Sequence, residues 1–190
     1  MEALMGIFSA FGLAASAGLN AYIPLLVVSL LARYTDLIEL RSPWDTLTSP
    51  WVIGLLVVLL GIEFFADKAP AINHVNDAIQ TFVRPAAGAI VFAASSGVVS
   101  QVHPVLAMGL GILVAGGVHT VKAAAVRPAV TATTGGVGNV PVSILEDVVS
   151  TTLSILAIVI PVLIAMVIIL FTAGVVWWLW RRANRAQKMA

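Results

Sequence analysis

Ionisable side chains occur in pairs that would share one face of a helix. Glu63 and Asp67 are four residues apart, and His74 and Asp77 are three apart, in a chain where only 10% of residues are charged. Side chains at these spacings are neighbours on an α-helix. Two carboxylates in a region of low dielectric constant favour binding of a proton or a metal ion, and an imidazole can relay protons. The alternative is that both pairs are solvated at a membrane interface, with Lys68 neutralising the first.

Two basic side chains stand beside prolines. Arg84-Pro85 and Arg127-Pro128 each join a guanidinium to a residue without a backbone N–H group, and we expect Pro85 to begin a helix. Free N–H groups at a helix start, together with an arginine, form a site for an anion such as a phosphate or a lipid head group. Anchoring at the cytoplasmic membrane surface explains the same arginines without a ligand.

His119 continues a stripe of small residues. Ala107, Gly111, Ala115 and His119 recur every four residues, which predicts a helix face that a second helix approaches closely. Lys122 should lie near the same face. We therefore expect His119 to point toward the interior of a bundle, either as a functional group or as a hydrogen-bonded structural histidine.

The first apolar segment is interrupted at Asn20. Pro24 cannot donate a hydrogen bond to the Asn20 carbonyl, and Ala10, Ala14 and Gly18 form a second stripe of small residues. A broken helix with a free carbonyl and an amide side chain is a common way to build a site within a membrane. An ordinary proline kink without a ligand is the alternative.

The elements that position these groups must be membrane helices. Hydrophobic residues make up 60% of the chain, whose mean hydropathy is +1.04, and soluble domains are far less apolar. The net charge of +1 gives no case for a nucleic-acid partner, and the absence of cysteine excludes disulfides and thiol chemistry. No spacing typical of a metal or cofactor site is present, so neither is expected.

The apolar segments predict an all-α, polytopic bundle of about six transmembrane helices, since a span needs roughly 20 residues. The segments lie at about 4–32, 51–67, 85–100, 104–122, 141–160 and 162–181. A short interfacial or re-entrant helix is expected near 71–83. Residues 1–181 would form one transmembrane domain, followed by a basic tail at 182–190. Pro161 leaves open whether 141–181 is one span or two.

Charge bias predicts the orientation of the bundle. The basic C-terminus places that end in the cytoplasm, and six spans put both termini there, with Arg84, Lys122 and Arg127 on the same side. Glu146 and Asp147 would then be counter-ions of the basic groups, although acids also favour the first turns of a helix. With five spans, Lys122 and Arg127 would lie opposite the basic tail.

Short sequence matches are consistent with a two-fold internal pseudo-repeat. Val83-Arg-Pro-Ala86 recurs as Val126-Arg-Pro-Ala129, as in transporters built from two related halves. Chance similarity within apolar sequence explains the match equally well.

A set of motifs stands together over roughly residues 10–160. It comprises Gly18-Leu-Asn-Ala-Tyr-Ile-Pro24, Glu63-x-x-Ala-Asp-Lys-x-Pro70, His74-x-x-Asp77, Arg84-Pro-x-x-Gly88, Lys122-Ala-x-x-x-Arg127 and Asn139-x-x-x-Ser-x-x-Glu-Asp147. The combination resembles a family of small bacterial integral membrane proteins that is catalogued only as domain of unknown function 4126. The resemblance implies a bacterial inner-membrane protein and implies no activity.

The leading hypothesis is a small transporter or channel-like protein that binds an anionic solute or lipid head group near the cytoplasmic end of the bundle. The cations and amides that would hold the anion are Arg84, Lys122, Arg127, Asn20 and Asn139. The groups that would carry protons or counter-charge are Glu63, Asp67, His74, Asp77, His119, Glu146 and Asp147. Membrane lipids are the expected partners, and a homo-oligomer would thicken the wall of a small bundle. The alternatives are a membrane-embedded enzyme acting on lipid phosphate and a scaffold or assembly factor.

Overall fold

The computed structural model describes residues 2–68, 70–96 and 102–159, with side chains over 6–68, 75–95 and 102–159. In these ranges the chain forms α-helices and no strand, which confirms the all-α helical bundle. The helices are α1 (Glu2–Leu19), α2 (Tyr22–Tyr34), α3 (Pro50–Lys68), α4 (Pro70–Ser96), α5 (Pro104–Val121), α6 (Arg127–Thr134) and α7 (Asn139–Val159). A 3-10 helix covers Trp44–Thr48, and a π-helical turn at Lys122–Val126 joins α5 to α6.

Within the described residues, four helical segments are long and apolar enough to cross a membrane. They are Pro50–Lys68, Val75–Ser95, Pro104–Thr134 and Asn139–Val159, and two shorter apolar helices cover Gly6–Leu19 and Tyr22–Tyr34. The chain is therefore a helical membrane protein. The predicted span at 162–181 and the basic tail lie outside the described residues.

Helix α4 is continuous where the sequence predicted two elements. Residues 71–83 run directly into the third predicted span, and Pro85 lies inside the helix, so the expectation that Pro85 begins a helix is wrong. The polar residues Asn76, Gln80 and Arg84 recur every four residues, and all three are buried in the bundle. A membrane helix tolerates proline where neighbouring helices pack against it. Gly116 of α5 faces the Pro85 ring, and a Cβ there would make an ordinary van der Waals contact with Pro85 Cγ at 3.6 Å.

The stripes of small residues lie at close helix contacts. Helix α5 buries Ala107, Gly111, Ala115 and His119, so the prediction of that face is confirmed. Gly111 faces Gly88 of α4, and a Cβ at Gly111 would lie 2.7 Å from the Gly88 carbonyl carbon. Helix α1 packs against α4, α5 and α7 through buried Ala10, Ala14 and Ala17. These contacts fix the distance between the helices that carry the charged residues.

A hydrogen-bonded group of serines, which no sequence pattern predicted, joins α1 to α7. Ser16 Oγ lies 2.8 Å from Ser150 Oγ and 2.7 Å from Ser154 Oγ, and all three side chains are fully buried. Ser9 Oγ donates to the Ala157 carbonyl one further turn along. Hydroxyl groups hold helices together in this way where apolar contacts provide no net driving force.

Two glycines make the tight turn between α6 and α7. Gly135 and Gly136 have φ angles of 63° and 91°, in the left-handed region that favours glycine. A Cβ would have no neighbour within 4 Å at either position. No described residue therefore covers this turn at the two glycines.

Candidate functional site

A helix break at Asn20 begins the site. Helix α1 ends at Leu19 and α2 begins at Tyr22, so the structure contains the broken helix and not an ordinary kink. Asn20 Oδ1 accepts hydrogen bonds from the Tyr22 and Ile23 N–H groups at 3.0 and 3.1 Å. The Leu19 carbonyl thereby loses its usual donor, the N–H of Ile23, and accepts a hydrogen bond from Lys122 Nζ at 3.1 Å. The negative end of the α1 dipole thus faces a buried cation.

Replacing Asn20 with alanine should lower the free energy of unfolding, because the helix break loses its cap. The side chain caps the first turn of α2, and losing such a cap costs about 0.5–2 kcal/mol of stability. Asn20 Nδ2 also donates to Asp147 Oδ1 at 3.0 Å, so we expect the upper half of that range. Reversible unfolding in mixed micelles would measure the loss. Asn20→Asp, which keeps both acceptor bonds to α2, should recover part of it, and equal stability of Asn20→Ala and the parent chain would contradict the capping role.

The π-helical turn aligns two cations. Residues five apart in an α-helix point about 140° away from each other, because each residue turns the helix by about 100°. In the π-helical turn the Arg127 N–H bonds to the Lys122 carbonyl, which places these residues one above the other. Both side chains are buried and face the same cluster. π-Helical turns are frequent at functional sites.

Asp67 is the centre of a group of buried ionisable side chains. Its Oδ2 lies 3.1 Å from Arg127, 3.7 Å from Arg84 and 3.9 Å from Lys122. Asn76 donates to Oδ1 at 2.7 Å, and Ser143 donates to Oδ2 at 3.3 Å. Asp67 therefore receives contacts from α4, α6, α7 and the π-helical turn.

Arg84 links Glu63 to His119. The Arg84 side chain is fully buried, and its NH2 group donates to Glu63 Oε1 at 3.0 Å. Its NH1 group lies 3.2 Å from His119 Nδ1, and His119 Nε2 lies 3.2 Å from Thr81 Oγ1. Because a guanidinium only donates, His119 Nδ1 must accept, and the ring proton is on Nε2. In this arrangement His119 is neutral and orients Arg84.

Glu146 and Asp77 complete the group, which we call the charge cluster. Glu146 Oε2 lies 2.7 Å from Lys122 and 3.7 Å from Arg127, and Asp77 Oδ2 lies 3.5 Å from Arg127. The charge cluster is Glu63, Asp67, Asp77, Arg84, Lys122, Arg127 and Glu146. Beside it, Lys68 and Asp147 form a partly exposed pair at 3.1 Å, which we call the rim pair.

The charge cluster has one carboxylate more than it has cations. It contains four carboxylates and three cations, and the rim pair is neutral, so the formal charge is −1 with His119 neutral. Burying an uncompensated charge costs several kcal/mol. One bound proton would bring the cluster to neutrality.

An apolar cavity borders the charge cluster. Its volume is about 500 Å³, within the range of small-molecule sites. Lys122 and Glu146 are the charged residues in its wall. The lining residues are Leu19, Gly117, Val118, Val121, Lys122, Val126, Val142, Leu145, Glu146 and Val149. The cavity is thus an open apolar groove, with exposed Val121 and Leu145 in its wall and one ion pair.

The structure brings most of the predicted site residues together, with two exceptions. Asn139 lies at the start of α7, one turn before Ser143, and its Nδ2 donates to Thr131 Oγ1 at 2.9 Å; within the described residues it forms no hydrogen bond to the charge cluster. The side chain of His74 lies outside the described residues. Sequence reasoning missed Asn76, Gln80 and Ser143, although the spacing of Asn76, Gln80 and Arg84 was a usable signal. Within the described residues no group of side chains forms a metal site.

A broken helix, a π-helical turn and a buried charge cluster define a polytopic helical membrane protein with a polar site inside its bundle. The model of the family described as "Domain of unknown function (DUF4126)" matches residues 7–182, and the chain belongs to that family. No curated protein and no solved structure matches the chain.

Proposed function

We propose that the protein is a small proton-coupled carrier for anionic amphiphiles, molecules with an apolar body and one anionic group. The observation that carries the proposal is the position of Lys122. This buried lysine lies at once in the wall of the apolar cavity and in contact with Glu146, Asp67 and the Leu19 carbonyl. Ionisable groups inside a membrane are expensive, and they typically mark pathways of substrates or protons.

The apolar lining of the cavity favours an amphiphile over a small anion as the ligand. Apart from Lys122 and Glu146, the wall consists of aliphatic residues and Gly117. An alkyl chain would be stabilised there by about 25 cal/mol per Å² of apolar surface removed from water. The anionic group would reach Lys122, with Arg127 behind it.

The charge balance supports coupling to protons. Lys122 and Arg127 are already paired with carboxylates, and the charge cluster has a formal charge of −1. An anion that bound alone would raise the buried charge to −2. Uptake of a proton with the anion avoids this cost, so affinity should rise as the pH falls.

The setting of the carrier is part of the proposal. We place it in a bacterial inner membrane with six spans, both termini in the cytoplasm and the charge cluster toward that side. The clustering of basic residues supports this orientation. A homo-oligomer is consistent with the many apolar side chains that α3 exposes, which include Leu55, Val58, Ile62 and Phe65.

Lys122→Gln should weaken binding of 1-decanesulfonate by at least about tenfold, which is about 1.4 kcal/mol. The sulfonate keeps its charge at all relevant pH values, so any pH dependence reports the protein. Calorimetric titration of protein in lipid nanodiscs measures the affinity. Lys68→Gln removes the same charge at the rim pair, outside the cavity wall, and should change affinity less than about twofold.

Two further ligands show whether the cavity requires the anionic head group, the alkyl chain or both. Methanesulfonate has the head group without the chain, and 1-decanol has the chain without the charge. We expect both to bind much more weakly than decanesulfonate. Proteoliposomes with an acidic exterior should take up decanesulfonate faster than those without a pH gradient. Equal binding by the parent chain and Lys122→Gln, or uptake indifferent to the gradient, would refute the proposal.

A further inference from the structure

Three buried polar atoms near Glu63 have no hydrogen-bond partner in the described part of the chain. They are Glu63 Oε2, Gln80 Oε1 and Arg84 Nε. The three side chains are at most 2% exposed to solvent. An unsatisfied buried polar group costs about 1–3 kcal/mol, so three in one place call for an explanation.

The three atoms belong to side chains that meet between α2, α3 and α4. Glu63 Oε1 accepts from Arg84, and Gln80 precedes Arg84 by one turn on the same buried face of α4. The Tyr22 side chain of α2 interacts with Glu63, Gln80 and Arg84. These side chains form a polar group that is separate from the apolar cavity, whose lining includes none of the four residues.

Two of the three unpartnered atoms, Glu63 Oε2 and Gln80 Oε1, are acceptors, and Arg84 Nε is a donor; the two acceptors indicate a missing proton. An ionised Glu63 and the Gln80 carbonyl both accept hydrogen bonds and neither donates, so they cannot satisfy each other. A protonated Glu63 gains a donor while Oε1 still accepts from Arg84. That same proton would neutralise the formal charge of −1 on the charge cluster.

We propose that Glu63 takes up the coupling proton and that Gln80 is the hydrogen-bond acceptor for its protonated form. This proposal rests on the carrier function above and names the group that regulates the anion site. The proton comes from water and adds to the carboxylate, and no other bond forms or breaks. The positive charge of the proton bound by Glu63 then offsets the negative charge of the incoming anion.

Asp67 transmits the protonation of Glu63 to the anion site. Arg84 NH2 lies 3.0 Å from Glu63 and 3.7 Å from Asp67, so it shares its charge between them. When Glu63 becomes neutral, Arg84 pairs with Asp67 alone. Asp67 then attracts Lys122 and Arg127 less strongly, since their contacts of 3.9 and 3.1 Å compete with Arg84. These two cations become better partners for an anion in the cavity.

Other ionisable groups around Glu63 are already engaged. Those facing it from its own and neighbouring elements are Asp67 on α3, Tyr22 on α2, Arg84 on α4 and Lys122 at the end of α5. On α7, Glu146 pairs with Lys122 and Arg127, and Asp147 pairs with Lys68. Asp45 of the 3-10 helix precedes the opposite end of α3, about 20 Å away by helix rise. Glu63 therefore combines deep burial with an ion pair to Arg84, whereas the Asp77 side chain, paired with Arg127, is 26% exposed.

The test compares Glu63→Gln with Glu146→Gln. Decanesulfonate affinity of the parent chain should fall with rising pH, by up to about tenfold per pH unit for one coupled proton. Glutamine mimics the protonated acid and can donate to Gln80, so Glu63→Gln should bind with the low-pH affinity at every pH. Glu146→Gln and the exposed control Glu39→Gln should keep the pH dependence. Infrared difference spectra should show a protonated-carboxyl band on binding, lost only in Glu63→Gln.

Gln80→Leu supplies a second variant that leaves Glu63 in place. Removing the acceptor disfavours the protonated form, so the pH dependence should move to lower pH. A flat profile in Glu146→Gln together with an unchanged one in Glu63→Gln would place the proton on Glu146 and overturn the inference, while the carrier function would stand. Binding by the parent chain that is insensitive to pH would overturn the inference as well. If the parent chain fails to bind decanesulfonate, the carrier function itself falls.

Discussion

Arg84→Gln should lower the free energy of unfolding by about 3–5 kcal/mol, the typical cost of breaking a buried ion pair by removing one partner. The Arg84 side chain is fully buried and contacts Glu63, Asp67 and His119. Without it the charge cluster would carry a formal charge of −2, and Glu63 would lose its hydrogen-bonded cation. Reversible unfolding in mixed micelles is the measurement. The exposed control Arg41→Gln should lie within about 0.5 kcal/mol of the parent chain.

A double variant separates charge from packing at this position. Glu63→Gln/Arg84→Gln restores the charge balance that Arg84→Gln removes. We expect the double variant to be more stable than Arg84→Gln alone, with a coupling energy of about 1–3 kcal/mol in a double-mutant cycle. If the single variant loses less than about 1 kcal/mol, or if the second change brings no recovery, the ion pair does not stabilise the bundle.

Gly111→Ala should destabilise the bundle by about 1–3 kcal/mol, whereas Gly109→Ala, two residues earlier on α5, should be neutral or stabilising by up to about 1 kcal/mol. A Cβ at Gly111 would overlap the Gly88 carbonyl oxygen and lie 2.8 Å from Ala89 Cα. These are backbone atoms, so relief requires α4 and α5 to separate. A Cβ at Gly109 has no neighbour within 4 Å.

The same separation would act on the site, because Arg84 and His119 are held by α4 and α5 and lie 3.2 Å apart. Gly111→Ala should therefore also weaken decanesulfonate binding, while Gly109→Ala should not. Unfolding measurements on both variants under identical conditions provide the comparison. Equal stabilities would show that the α4–α5 contact is not as close as described.

The convergence of the charges could be predicted because helix spacing limits where side chains point. Glu63 and Asp67 had to share a face, and the small-residue stripe ending at His119 had to face another helix. In the structure Glu63 and Arg84 form an ion pair, and His119 contacts Arg84. The functional role of each of these residues remains a prediction.

Two features of the backbone could not be predicted by local rules. Pro85 is a sound signal for a helix start, yet α4 continues through it because packing against α5 outweighs one lost hydrogen bond. Lys122 and Arg127 are five residues apart, which indicates different faces of an α-helix, and only the π-helical turn aligns them. Both outcomes depend on tertiary contacts that spacing does not encode.

Neutral polar residues were harder to identify than charges. Ser16, Ser150 and Ser154 look like ordinary small residues in an apolar sequence, and their hydrogen bonds connect α1 to α7 across more than 130 positions of the chain. Asn139 was assigned to the site from its motif, but it bonds to Thr131 instead. A serine or asparagine finds its partner only after the helices have docked.

The Gly135–Gly136 turn offers a route to the sidedness of the molecule. Because no described residue lies within 4 Å of a Cβ built at either glycine, a short epitope inserted between them should leave the helices undisturbed. Antibody access to that epitope in intact cells, compared with access in inverted vesicles, would reveal which compartment the α6–α7 connection faces. That result would establish how α7 and its Glu146 are oriented across the membrane. It would also show whether the cavity opens toward the inside or the outside of the cell.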